Sequence, residues 1–155
     1  MAKKFVPPNW VKKYGEERGI RRLRYEMEKM AATYPHFEFN ICDGDTLYME
    51  GFIVTAQKNA YRMRVYFPED YPMVPPIPVA LDPDIIKLWD DSGTKHTRGT
   101  YKDGELHLCV IQPDDKIGQG WNPNLSSVTM VHFAAKWFHA LEIWRATKSW
   151  PLPEH

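Results

Sequence analysis

The chain carries no net charge: 20 lysines and arginines stand against 20 aspartates and glutamates in 155 residues. Without a global field of either sign, bulk electrostatics favour neither nucleic acid nor an anionic membrane as partner. Cysteine is scarce. Cys42 and Cys109 are too few for the disulfide framework of a small secreted domain, and too few to fill a four-cysteine zinc site. No apolar run approaches the roughly eighteen residues of a membrane-spanning helix, and no signal-type hydrophobic stretch follows Phe5. These absences predict a cytoplasmic protein without membrane contact, and the length predicts a single domain over residues 1–155. Internal repeats and flexible linkers are missing too.

What is present suffices for a core, since 43% of the residues are apolar and 14% aromatic. Charge is distributed unevenly. Residues 1–30 hold nine basic and four acidic side chains, an excess of five that the more acidic remainder balances. Proline is concentrated as well: six of the 13 lie between residues 68 and 83. Because proline is excluded from helix interiors and central strands, that stretch is predicted to be a rigid, extended connection.

Glu16–Thr33 places Ile20, Leu23, Met27 and Met30 at steps of three and four, which predicts an amphipathic helix. Its arginines read either as a solvated face or as a surface for a partner protein. After Pro35 the period becomes two. Phe37, Phe39 and Ile41 alternate with polar residues, Asp43-Gly44-Asp45 supplies a turn, and Leu47–Thr55, Tyr61–Phe67 and Ile77–Leu81 follow as further extended runs. Asp82 to Asn124 reads as one long ordered loop. Helical spacing returns at Val128, Val131, Ala135, Phe138, Leu141 and Trp144, with Ser126 or Ser127 as N-cap and an end near Thr147. The order predicts an α+β domain: N-terminal helix, four-stranded antiparallel meander, long loop, C-terminal helix.

Cys109 lies in that loop, in Gly104-Glu-Leu-His-Leu-Cys-Val-Ile-Gln-Pro113. It reads either as a nucleophile, active as its thiolate, or as a small buried hydrophobe among Leu106, Leu108, Val110 and Ile111. Cys42 has no supporting constellation. On extended backbone His107 and Cys109 face the same side, so His107 is either a base for that thiol or an exposed polar residue. His96, Asp114 and Asp115 are weaker candidates for the same task, and a metal site built from Cys109, His107 and His96 lacks a fourth ligand.

Phe67-Pro-Glu-Asp-Tyr71-Pro72-Met-Val-Pro75-Pro76 resembles the FPxxYPxxPP segment after the third strand of ubiquitin-conjugating (E2) enzymes. Cys109 follows 33 residues after Pro76, and Trp121-Asn122-Pro123, 12 residues further, resembles the Trp-Ser/Thr-Pro after the E2 catalytic cysteine. The resemblance covers residues 16–147 and implies a UBC-like fold. The closing Trp137-Phe-His-Ala-Leu-Glu142-Ile-Trp144-Arg-Ala-Thr147-Lys-Ser-Trp150 is similar to a narrower group, bacterial E2-like proteins of antiphage (CBASS) operons that accompany a cGAS-like nucleotidyltransferase. One feature departs from the eukaryotic pattern: the stretch before the cysteine, His96-Thr-Arg-Gly-Thr-Tyr101-Lys-Asp-Gly-Glu105, contains no His-Pro-Asn to stabilise an oxyanion.

The resemblance implies that Cys109 accepts an activated polypeptide C terminus as a thioester and passes it to an amine, with no cofactor and no metal. It implies an E1-like activating protein and the nucleotidyltransferase as partners. The surfaces it implies for docking are Arg21, Arg22 and Lys29, the Met73-Val74 tip, and the Pro123-Asn124 turn. Tyr71, Pro72, Pro75, Pro76 and Trp121 are expected to pack beneath the active-site loop. A catalytically inactive E2-like binding module is the alternative, and a thiol hydrolase using Cys109 with His107 or His96 is another.

Overall fold

The computed structural model describes residues 6–92, 97–108, 110 and 120–152, with 88–92, 97–100 and 103 described by their backbone alone. Two helices open the chain, α1 (Asn9–Tyr14) and α2 (Glu16–Thr33). A meander follows: β1 (Glu38–Cys42), β2 (Thr46–Val54), β3 (Ala60–Tyr66) and β4 (Ile77–Ala80). Then come α3 (Pro83–Ser92), β5 (Thr97–Thr100), β6 (Leu106–Leu108) and the long helix α4 (Ser127–Thr147). The fold is α+β, as expected, but the sheet has six antiparallel strands in the order β1-β2-β3-β4-β6-β5 rather than four.

The two additional strands and α3 lie in the stretch read as one loop. At four and three residues, β5 and β6 are too short to display a period. The proline run is likewise not one extended connection. It makes a turn containing a cis Tyr71–Pro72 bond, then enters β4, where Pro78 lies opposite Val65, and Pro83 takes the first position of α3, where its missing N–H is harmless. Pairing between β4 and β6 is confined to Val79↔His107 and Ala80↔Leu106, and it ends where Pro78 has no N–H to give.

Alternation on β2 and β3 turns Leu47, Met49, Ile53, Tyr61, Met63 and Val65 toward α4, which crosses β2, β3 and β4. Helix α4 buries a broad apolar face, Val128, Met130, Val131, Ala134, Trp137, Phe138, Ala140 and Leu141, and leaves His132, Lys136 and His139 exposed on the other. Phe138 stacks on Tyr61 with ring centroids 4.9 Å apart. Helix α2 presents Leu23 and Met30 to the core, yet Met27, expected on that stripe, is 44% exposed. The buried neighbour is Glu26, at 0% exposure. Helix α1 lies across α2, with Trp10 stacked on Phe67 and edge-on to Tyr71.

Candidate active site

Cys109 and His96 lie outside the described residues, as do Asp114 and Asp115. The residues bracketing the cysteine are described. Leu108, at the end of β6, is 1% exposed and Val110 is 9% exposed. Both line an open pocket of about 230 Å³ with Pro68, Val74, Pro75, Pro76, Met130 and the half-buried His107. The proline-rich turn and the start of α4 therefore form walls against the segment that carries the cysteine. Among the described residues no group of His, Cys, Asp and Glu is disposed to hold a metal ion.

The turn is fixed from below by a buried polar cluster that the hydropathy pattern did not reveal. The Arg22 Nε donates to Glu26 Oε1 at 3.0 Å, and its Nη groups donate to the carbonyls of Pro123 and Leu125 at 2.5 Å each and to the Tyr71 hydroxyl at 3.1 Å. Tyr71 donates in turn to Glu26. The second Glu26 oxygen accepts the Ser127 N–H at 2.9 Å and the Ser127 hydroxyl at 2.5 Å. The N-terminus of α4 is thus capped by a carboxylate from α2, where the helix macrodipole favours negative charge, and not by the Ser126 side chain. Burial, with the Glu26 charge adding to it, pushes the Tyr71 phenol well above its usual range, so it remains a proton donor. Trp121 Nε1 donates to the Pro72 carbonyl at 2.8 Å and closes the same joint.

The joint links the three elements that carry the expected docking residues, α2, the proline turn and the 123–125 segment. Met73 is 64% and Val74 37% exposed at the tip of the proline turn. Asn124 is exposed, and Pro123, half-buried, is held through its carbonyl by Arg22. Arg21 and Lys29 are exposed on α2, Arg21 paired with Glu17 at 3.2 Å and Lys29 bonded to the Tyr25 hydroxyl at 3.0 Å. Arg22 differs from them: its guanidinium is engaged inside the molecule. A hint was legible, since Arg22 and Glu26 stand at i,i+4 and a buried tyrosine such as Tyr71 needs a polar partner.

On the face of the sheet opposite α4 lies a second cluster, next to His107. Arg64 donates to Glu50 at 2.5 Å, to the Tyr66 hydroxyl at 3.1 Å and to Glu105 at 3.3 Å, with its guanidinium over the Tyr48 ring. Tyr66 donates to the buried Glu105 carboxylate, 2.8 and 2.7 Å from its two oxygens. Burial, strengthened by Glu105 and opposed by Arg64, holds the Tyr66 phenol well above its usual value. Glu50 is held below the ordinary carboxylate range, because the Arg64 and Arg62 hydrogen bonds outweigh the burial that opposes its charge.

Comparison with known proteins adds one finding. A family model described as Type II CBASS E2 protein matches residues 26–155, from the buried glutamate of α2 onward. No curated protein matches the chain.

Proposed function

The chain belongs to the type II CBASS E2 family, and from that premise we propose that it is an E2-type acyl transferase with Cys109 as its nucleophile. In the first step the Cys109 thiolate attacks the carbonyl of a polypeptide C terminus activated as a thioester on an E1-like protein. A new C–S bond forms on Cys109, and the activating protein's thiolate leaves. In the second step an amine attacks the Cys109 thioester: the C–N bond forms, the C–S bond breaks, the electron pair returns to Cys109 Sγ, and the amine proton passes to a base. His107 is the candidate base, and His96 a weaker one. Such a thioester persists in water and yields to amines, so the protein must orient the reactants more than activate them.

The observation that carries this reading is the placement of Cys109's neighbours within the family match. Leu108, Val110 and His107 line one pocket against the proline turn, and the turn, α2 and α4 are tied by a single buried cluster. Flanking residues so placed suit a group that must present one atom repeatedly. The partner we assign to the acyl donor is the C terminus of a cGAS-like nucleotidyltransferase, with the E1-like activator docking at Arg21, Lys29 and the Met73-Val74 tip. The action is placed in bacterial antiphage signalling, in the cytoplasm. Among the described residues no helix is long and apolar enough to cross a membrane.

Intact mass of the protein mixed with its activator and donor tests the reading. The expected result is an adduct on Cys109 that reducing agent removes, that Cys109→Ser converts to a reductant-stable oxyester, and that Cys109→Ala abolishes. Unchanged biological activity of Cys109→Ala, with partner binding retained, would overturn the transfer reading and leave the binding module.

A further inference from the structure

The two edges of the sheet are finished differently. At one, β5 meets β6 with an irregularity between the pairs Thr97↔Leu108 and Thr100↔Leu106, a device that spoils an edge for further pairing. At the other, β1 runs against β2 through five successive pairs, from Glu38↔Glu50 to Cys42↔Thr46, and its sequence Glu-Phe-Asn-Ile-Cys holds neither proline nor lysine. Which of its residues face outward follows from the ladder. The Leu47 carbonyl accepts the Phe67 N–H at 2.9 Å and, just beyond β2, the Thr55 N–H donates to the Asn59 carbonyl at 2.9 Å, so the odd-numbered residues of this strand point their polar groups at β3. The even-numbered ones therefore point at β1 and engage Glu38, Asn40 and Cys42. That leaves the N–H and C=O groups of Phe39 and Ile41 on the open edge, with no hydrogen-bond partner among the described residues. The Ile41 residue is also 48% exposed.

We propose that this edge pairs with a second copy of the chain, the two β1 strands lying antiparallel about a two-fold axis through Asn40. The proposal is independent of the transfer reading. The ends of the strand fix the register. A pairing centred on Phe39 would need the Phe37 N–H, which is already bonded to the Tyr34 carbonyl at 3.1 Å, and one centred on Ile41 would set Phe39 against Asp43, where the chain has left the extended conformation for the turn Asp43–Asp45. Centred on Asn40, Phe39 lies opposite the partner's Ile41 and Ile41 opposite the partner's Phe39, so every outward N–H and C=O of both residues is satisfied. These side chains stand on the helix-bearing face, beside Met49 and Leu47, and each cross-strand pair sets a β-branched chain against an aromatic ring while covering the exposed Ile41. On the other face Glu38 meets the partner's Cys42, not a second carboxylate, and the two Asn40 amides face each other across the axis, each both donor and acceptor. An extended segment of unrelated sequence would find the same backbone groups without this self-matched row, which is what selects a second copy.

Sedimentation of the full chain tests the proposal. An interface of one short strand from each copy falls at the weak end of specific contacts, below about 1,200 Å². The mass is therefore expected to rise from that of one chain toward that of two as the concentration goes from about 10 μM to about 1 mM. Ile41→Lys, at a position already half exposed, puts a charge on the edge and is expected to stay at the mass of one chain. The register has its own readout, in a chain whose native thiols are removed by Cys42→Ser and Cys109→Ser. Asn40→Cys there sets two thiols across the axis with Cα atoms about 4.5 Å apart, within the span of a disulfide, whereas Glu38→Cys sets them about 14 Å apart. Under mild oxidation the first is expected to form the disulfide-linked dimer at least about tenfold faster than the second. A parent that keeps the mass of one chain throughout the range, an Ile41→Lys variant that associates like the parent, or equal cross-linking at the two positions would each overturn the proposal. The first of these is also the result if the edge receives an extended segment of another protein.

Discussion

A methyl group at Gly19 would stand 2.6 Å from the Val11 carbonyl oxygen and 2.8 Å from the Val11 Cα. Backbone cannot swing aside as the end of a side chain can, so Gly19→Ala must push α1 off α2. Overpacking of this kind costs about 1–3 kcal/mol, which a shift in the denaturation midpoint at unchanged slope would record. An Ala variant with the parent's midpoint would mean that α1 slides freely. The close approach was not legible in the sequence, because a glycine inside a helical pattern reads only as a weak position. The candidate site divides in the same way. Cys109 and His107 were visible through their neighbours in the chain, whereas Glu26, Tyr66 and Glu105 matter through partners 39 to 101 residues away, which no local pattern encodes.

At the scale of elements, the loop between β2 and β3 is pinned to α4 through Glu142. This buried carboxylate accepts Thr55 Oγ1 at 3.0 Å, Asn59 Nδ2 at 2.5 Å and the Tyr61 hydroxyl at 2.8 Å. Burial opposes its charge, but the hydrogen bonds from Asn59, Tyr61 and Thr55 prevail and hold its pKa below the ordinary value. Burial, followed by the Glu142 contact, pushes Tyr61 up to about 12, so the phenol keeps its proton at neutral pH. A carboxyl whose native pKa is depressed contributes stability above its unfolded value, about 4.3, and loses it as pH falls through the native value. Glu142→Gln is therefore expected to lower stability at pH 7 by about 1–3 kcal/mol and to melt with a shallower loss between pH 5 and 3 than the parent. Parallel melting curves for the two across that window would remove Glu142 from the acid response. Elements with a full period, α2, β2, β3 and α4, were legible at close to their true bounds. Helix α1 has six residues and β6 three, too few to establish any period, and α3 was hidden by the prolines that precede it.

For the whole molecule, the Arg22–Glu26 pair joins α2, the proline turn, the carbonyls of Pro123 and Leu125 and the start of α4. Arg22→Ala leaves a fully buried carboxylate without its cation and two carbonyls without donors, and breaking such a pair costs about 3–5 kcal/mol. Urea unfolding should register that loss, and amide exchange at 121–127 should accelerate more than exchange in β2 and β3. Uniform acceleration would mean that the joint is not a local brace. The same joint sets a schedule for synthesis. Glu26 leaves the ribosome 101 residues ahead of Ser127, an interval of about 5–20 seconds at ordinary elongation rates, and over that time its only counter-ion in the cluster is Arg22, four residues earlier on the same helix. An i,i+4 pair therefore holds Glu26 within one nascent helix until its distant partners emerge, and closure of this joint waits for Ser127.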